Sequence, residues 1–566
     1  MSGAGIQRAR KKQIPIFVTS IYSAAWGLIL LGSGRYWDDW AALDLSWQAT
    51  LRWAHQIGHF WQMQFLYLLS ALPATERIGH LLVFASYLVC AFIAHSLLAY
   101  APRTTGVTRV IVPALFAVFP VNAARYALMN LIFAISLAVF MVGWWLIAVD
   151  LSRPRVVRRI AAAGLFLFAL VSTGSFLMFV TVVPLYVAWV RFPQLRVASG
   201  RRTFLIRYGF LFMLPAVAWA VRTVALRPSG LYDGYNELGL RGALGAVSML
   251  PIAFRESVLD PVLSAFASNI LIVLLLAAAL YVVLHRSLVL ADSELAHSWW
   301  EHFAFVGAGV TVVILGVFPY LAVGKLPQSS DWASRHQLLV PFGAAILVYA
   351  LVALAVRAFG LRSSSVLLVS CVLLGAFIVA DVRTSLAYQV DWYKQVSLMQ
   401  RMGESDAMRR GTHFIFSDET KDLNAAGRTY RPYEYTGMMR KVFGSATRFG
   451  VDEIGAGAFD PMVLREHKQY NVWEYEPTTE RVAVTIRLGS VDVRDVRVLL
   501  GLMWRETFQP RDFRRAVTDV VRIETRLTSL AADGRSSRDR RLRERATLGT
   551  ASRRHRSRWL HRQPPR

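Results

Sequence analysis

The chain has 566 residues, of which 55% are hydrophobic and 18% charged, with a formal net charge of +26. Soluble domains carry about a quarter charged residues. This balance therefore excludes an ordinary globular chain, and the polar residues fall in short clusters between apolar stretches long enough to span hydrocarbon. The positive charge does not point to nucleic acid, because no aromatic-interleaved basic groove accompanies it.

In chain order, the basic start (Arg8, Arg10, Lys11, Lys12) precedes a first apolar stretch at 14–32 with no small-residue cleavage site after it. The reading is a retained span with a cytoplasmic N-terminus. An external loop, 33–79, follows. Within it, 56–72 is apolar but short and carries His59, Gln62 and Gln64, as expected for a helix lying in the membrane interface. Ten further spans are predicted at 79–100, 108–121, 126–149, 159–176, 177–191, 203–225, 262–284, 303–323, 337–356 and 363–381, giving about eleven in all. Arg103, Arg153, Arg155, Arg158, Arg159, Arg191, Arg196, Arg201, Arg202, Arg286, Arg357 and Arg362 then fall on the cytoplasmic side, as the positive-inside rule asks. Cys90 and Cys371 lie inside spans and suggest neither a disulfide framework nor a metal site.

Residues 382–530 have mixed composition and short alternating stretches such as His413–Phe416 and Arg481–Leu488, the pattern of a soluble α/β domain. An odd number of spans places it outside. From 531 to 566 there are twelve Arg against Asp533, Asp539 and Glu544, a tail expected to be disordered. The fold class is an all-α polytopic membrane domain, residues 1–381, with external loops 33–79, 226–261 and 324–336 and a C-terminal soluble α/β domain. The location is the cell membrane.

The candidate chemistry clusters in the external segments. Asp38 and Asp39 lie between Trp37 and Trp40 just beyond span 1, where a carboxylate can act as general base on a hydroxyl arriving from water. A neighbouring carboxylate can orient it or help hold a divalent cation. Lys325, Arg335 and His336, in the loop 324–336, are cations or donors suited to a lipid phosphate, as are Arg125 in a short outer turn and Arg222 near the outer end of its span. Trp37 and Trp40, Tyr232 and Asp233 in the loop 226–261, and Tyr433 and Glu434 in the aromatic run Thr429–Gly437, suit contacts with a sugar or a glycan acceptor. Arg52, His55 and His59 fall at helical spacing and read as a polar stripe before a metal site. There is no Walker loop, dinucleotide fingerprint or HExxH.

An Asp-Asp pair in the first external loop, many spans and an external C-terminal domain together resemble the GT-C superfamily of membrane glycosyltransferases. The resemblance implies an inverting transfer from a polyprenyl-phosphate sugar to a cell-envelope glycan or lipid acceptor at the outer face. It matches Asp38 or Asp39, with Asp39 preferred, to the base. No cofactor is implied with certainty, and a divalent cation is compatible. The alternatives are a flippase or transporter of a lipid-linked saccharide, which should show charges buried within spans and repeat symmetry, and a polymerase working on lipid-linked donors.

Overall fold

The structure, a computed structural model, describes residues 3–529 apart from 103, 235, 238, 288–297, 446 and 453–479. The basic tail 531–566 lies outside the described residues. Among those described, eight helices are long and apolar enough to cross a membrane: Ile14–Leu31, Thr75–Tyr100, Leu128–Ser152, Ala198–Ala225, Arg241–Ala265, Trp299–Leu321, Val340–Ala358 and Ser363–Glu404. Three shorter apolar helices, Thr108–Ala117, Phe176–Val190 and Ile270–Arg286, stand where further spans are predicted. The stretch 159–176 is the helix Val156–Ser172. Pro184 sits in the first turn of Val182–Val190, where a proline is tolerated but cannot continue a helix from the N-terminal side, because it crowds the preceding turn.

Two elements differ from the sequence reading. The first is the segment 226–261, predicted as loop. It contains the helix Leu240–Phe254, which continues through a π-helical turn, Arg255–Leu259, into Asp260–Ala265. Arg241, Arg255, Glu256 and Asp260 dilute its hydropathy and Pro251 and Pro261 read as breakers, so its sequence passes for a loop. Its contacts hold both ends on one face of the bundle. A Cβ at Gly242 would lie 2.4 Å from the Ala322 carbonyl oxygen, beside the loop that follows Leu321. Further along, the Gln337 amide donates to the Glu256 carbonyl (2.9 Å), and just beyond the helix Arg383 donates to Ser268 (3.1 Å).

The second is the expected boundary at 381, which falls inside a single unbroken helix, Ser363–Glu404. Its first half packs among the apolar helices. Its second half carries Asp391, Lys394 and Gln395 into the C-terminal part of the chain, where all three are buried.

That C-terminal part is α/β. Four strands, β1 (His413–Asp418), β2 (Phe449–Asp452), β3 (Glu480–Leu488) and β4 (Val521–Ser529), form a sheet of order β2-β1-β3-β4. β1 runs parallel to β2 and β3, and β3 antiparallel to β4. Alternate side chains, Phe414 and Phe416 on β1 and Val482, Val484 and Ile486 on β3, are fully buried, which is the period-two pattern visible in the sequence. The helix Pro432–Phe443 covers one face, with Tyr435 stacked on Phe416 at 4.1 Å. It also packs on the first loop: a Cβ at Gly437 would lie 2.7 Å from the Trp40 carbonyl oxygen, so only glycine permits this approach.

Candidate functional site

The first loop, 33–42, is pinned from three directions. The Tyr36 hydroxyl donates to the Tyr388 carbonyl (2.7 Å) in the long helix. The Trp37 amide donates to Glu434 (3.1 Å) in the C-terminal domain, and the Trp37 indole to Asp331 (3.1 Å) in the loop 324–336. Trp37 and Asp331 both have positive φ, 50° and 59°, a conformation costly for residues other than glycine. The strain sits where the two loops meet, held by the bond between their side chains. Trp37 also packs on Trp332, with ring centroids 5.3 Å apart.

The two adjacent aspartates have different fates. Asp39 is fully buried. Its Oδ2 accepts from the Tyr36 and Leu128 amides (3.0 Å each) and its Oδ1 from the Met129 amide (2.8 Å). It staples the first loop to the start of the Leu128–Ser152 helix and has no face open to a substrate. Asp38, by contrast, is half-buried and opens the short helix Asp39–Ala42. The aspartate preferred from sequence as the base is thus the inaccessible one, because the Tyr36, Leu128 and Met129 amides hold it inward. The pair also does not present two carboxylates to one cation.

Burial pushes the Asp39 pKa up to about 7, against the three backbone donors and Arg35, which pull it down. Its folded-state value lies above its unfolded value. The stability it contributes is therefore full below about pH 4 and is lost as pH rises through 7. Raising pH from about 5.5 to about 8.5 should cost about 2 kcal/mol at this residue. In detergent the wild type should melt lower at the higher pH, and the difference should shrink in Asp39→Asn. An equal pH dependence in the two proteins would reject this account.

Around Asp38 the structure gathers Arg431 and Tyr433 from the C-terminal domain. Burial raises the Tyr433 hydroxyl well above its usual range, and the neighbouring Asp38 charge adds to it. Burial works to lower the Arg431 guanidinium, but Tyr433, Asp38, Glu434 and Asp331 outweigh it and hold its pKa above the ordinary arginine value. Arg335 lies in the same group of loops, half-buried, its guanidinium 4.1 Å over the Trp332 ring. His336 is buried against Tyr320, 5.0 Å between rings. Burial and the charges of Arg335 and Lys325 push its pKa down to about 3, so it is neutral at physiological pH. At this junction Tyr433 adjoins Asp38, while Arg335, with Lys325 and His336 near it, reaches the first loop through Trp332 on Trp37; Glu434 is fully buried and paired with Arg428, so it does not face a sugar.

The other sequence candidates lie elsewhere. Trp37 and Trp40 are buried anchors; the Trp40 indole donates to Gln395 (2.9 Å). Arg125 is buried behind the junction with its guanidinium 3.8 Å from Trp26 and 4.4 Å from Tyr87, donating to the Val121 and Asn122 carbonyls. Arg222 donates to the Val171 carbonyl (2.7 Å) and faces His59, whose pKa burial and that charge lower to about 3. Tyr232 accepts from the Trp53 indole (3.1 Å), and Asp233 is exposed. The helix Trp47–Ile57 ends at Gly58, φ 71°, so His55 and His59 do not share a helical face. Among the described residues no three His, Cys, Asp or Glu side chains are grouped to hold a metal.

Sequence reasoning missed Arg428, Arg431, Asp331 and Asp391. Arg431 and Asp331 stand inside segments noted for other residues. Arg428 and Asp391 are ordinary charges in sequence and gain meaning only by being buried together.

No protein-family model matches the chain, and no curated protein matches it significantly.

Proposed function

We propose that the protein is a membrane glycosyltransferase that moves a sugar from a polyprenyl-phosphate donor to a cell-envelope glycan or lipid acceptor, with inversion and with Asp38 as general base. The observation that carries the reading is the junction itself. A half-buried carboxylate just past the first span lies beside Arg431 and Tyr433, and Arg335 stacks on the Trp332 that packs against Trp37. In this reading Asp38 takes the proton of the acceptor hydroxyl as its oxygen attacks the anomeric carbon. The donor C–O bond breaks and the polyprenyl phosphate leaves with the electron pair. A phosphate needs no general acid to leave. It needs cations where its charge develops, a role for Arg335, Arg431 and Lys325. His336, being neutral, can donate a hydrogen bond but adds no charge.

The same reading has the N-terminus in the cytoplasm and the C-terminal domain outside, with the Arg241–Ala265 helix lying along the outer face. A phosphatase reporter fused after Arg566 should be active, and a fluorophore that matures only in the cytoplasm should be dark. The reverse pattern would put the site on the wrong face for an envelope acceptor.

Arg335→Gln should weaken donor binding and slow transfer together, because the cation meets the phosphate before and during reaction. Transfer of radiolabelled sugar in vesicles, with donor binding measured alongside, reads both. Wild-type donor affinity in the variant would remove Arg335 from the site.

A second reading, a flippase or transporter of a lipid-linked saccharide, is favoured by one observation. Arg125 and Asp381 are both buried within the helix bundle, where ionisable groups commonly serve transport. Asp381→Asn separates the readings: it should leave sugar transfer intact and would abolish lipid movement. A polymerase acting on longer lipid-linked donors would use the same junction.

A further inference from the structure

The helix Val496–Phe508 is amphipathic in an unusual sense: both its faces are apolar. One face, with Leu499, Leu502 and Met503, is buried in the C-terminal domain. The other carries Val496, Leu500, Trp504 and Phe508, four residues apart and therefore on one stripe, and they are 54%, 50%, 60% and 61% exposed. The Trp504 and Phe508 rings lie 4.2 Å apart. A helix face turned to water is normally polar, and a contiguous exposed apolar patch marks an interaction surface.

The position of this helix identifies what the stripe meets. Glu506, on the opposite side from Trp504 and Phe508, accepts from Gln389 (3.0 Å), Trp392 (3.1 Å) and Tyr393 (2.9 Å) of the long helix, and from Ser33. Ser33 is two residues beyond Leu31, where the first membrane-crossing helix ends, and Leu31 is itself exposed. The C-terminal end of the stripe therefore stands at the level where that helix leaves the hydrocarbon. Exposed Arg497 and Arg505 lie on the same helix, and exposed Arg511, Arg514 and Arg515 on the next, Pro510–Val517. An apolar stripe with aromatic residues at its membrane end and arginines beside it has the chemistry of a helix that lies in a lipid interface.

We propose that the helix Val496–Phe508 is a membrane-surface anchor: Leu500, Trp504 and Phe508 enter the headgroup–acyl boundary of the bilayer that the chain spans, and the flanking arginines meet lipid phosphates. The occupant is the bilayer itself. The anchor fixes the height and tilt of the C-terminal domain, and so of Arg431 and Tyr433, over the first loop. It rests on the membrane-crossing helices alone and not on the reaction proposed above.

The test uses the full chain in nanodiscs of phosphatidylcholine with phosphatidylglycerol. Trp504→Cys and Phe508→Cys each take a bimane label; native Cys90 and Cys371 are buried. Thr525→Cys, exposed on β4, is the control. Labels at 504 and 508 should emit at shorter wavelength and lose most of their fluorescence to lipids carrying a shallow nitroxide, at a depth of ~5–10 Å, while the label at 525 keeps its emission. The replaced side chains point outward, so melting in detergent should match wild type and establish folding. Quenching at 504 no greater than at 525 would overturn the proposal. So would efficient cross-linking between two copies of the unlabelled Trp504→Cys variant in place of quenching, since the stripe would then be a protein interface.

Discussion

Asp38→Asn is expected to lower sugar transfer by about 100- to 10,000-fold, the usual contribution of a general base, with donor binding and melting temperature nearly unchanged. Asparagine keeps the size of the side chain and most of its hydrogen bonding but cannot take a proton. Asp38 is half-buried beside Arg431 and Tyr433 and carries no backbone staple, so its replacement removes chemistry without removing architecture. Asp39→Asn should behave in the opposite way. Asparagine can accept with only one of its two terminal atoms, so at least one of the Tyr36, Leu128 and Met129 amides now bonded to Asp39 loses its acceptor. A buried donor left unpaired costs about 1–3 kcal/mol. That variant should melt lower, and any loss of rate should follow from a displaced Asp38. The measurement is transfer of radiolabelled sugar from polyprenyl phosphate beside a melting curve for each variant. If Asp38→Asn transfers at the wild-type rate, the first loop does not hold the base, and the transporter reading gains most.

The contrast between these neighbours shows where sequence reading runs out. The pair stands out by composition: two carboxylates between two tryptophans, just past an apolar run. Which of them is buried depends on the Leu128 and Met129 amides, far along the chain, and these leave no signature in the pair itself. The membrane-crossing helices are legible because a long apolar run has few other uses, and β1 and β3 because alternation of apolar residues declares a half-buried strand. The Arg241–Ala265 helix is not legible, since its four charges and two prolines mimic a loop until contacts with Ala322 and Gln337 fix it on one face of the bundle. The boundary expected at 381 fails for a related reason. Hydropathy falls there, but the helix continues, because Asp391 and Lys394 find buried partners in the C-terminal domain and Gln395 bonds Asp391 and the Trp40 indole. The grouping of Asp38 with Arg431 and Tyr433 cannot be read from the chain, since they are far apart in sequence and no periodicity links them.

Arg428→Ala should be the most destabilising single change among these charges, by about 3–5 kcal/mol. The guanidinium is buried between two buried carboxylates from different elements. Its Nη1 donates to both oxygens of Glu434 (2.7 Å each) and its Nε to Asp391 (3.2 Å), with the Trp37 and Tyr430 rings at 4.8 and 4.9 Å. Each carboxylate has other work. Glu434 accepts from the Trp37 and Arg431 amides, while Asp391 accepts from the Ala425 amide, the Tyr430 hydroxyl and Gln395. Without the arginine, two negative charges remain buried with no cation between them, and the polar bonds that dock the first loop onto the C-terminal domain weaken together. Lysine is a poor substitute, because one ammonium cannot reproduce the planar fork that bridges both acids. Burial raises the Glu434 pKa and Arg428 opposes that rise, so removing Arg428 raises it further. A carboxylate whose folded-state pKa exceeds its unfolded value stabilises the fold below the unfolded pKa and loses that contribution as pH rises. The deficit of the variant should therefore be largest at neutral pH and shrink in acid. Neutralising all three groups, Arg428→Met with Asp391→Asn and Glu434→Gln, should recover part of the loss, since removing a buried ion triad costs less than breaking it. Melting in detergent at two pH values, with hydrogen exchange at the Trp37 amide as a local probe, reads every part of this. An Arg428→Ala protein that melts within ~0.5 kcal/mol of wild type, the range of a neutral surface change, with Trp37 still protected, would mean that the two acids do not need the arginine and that the loop is held by packing alone.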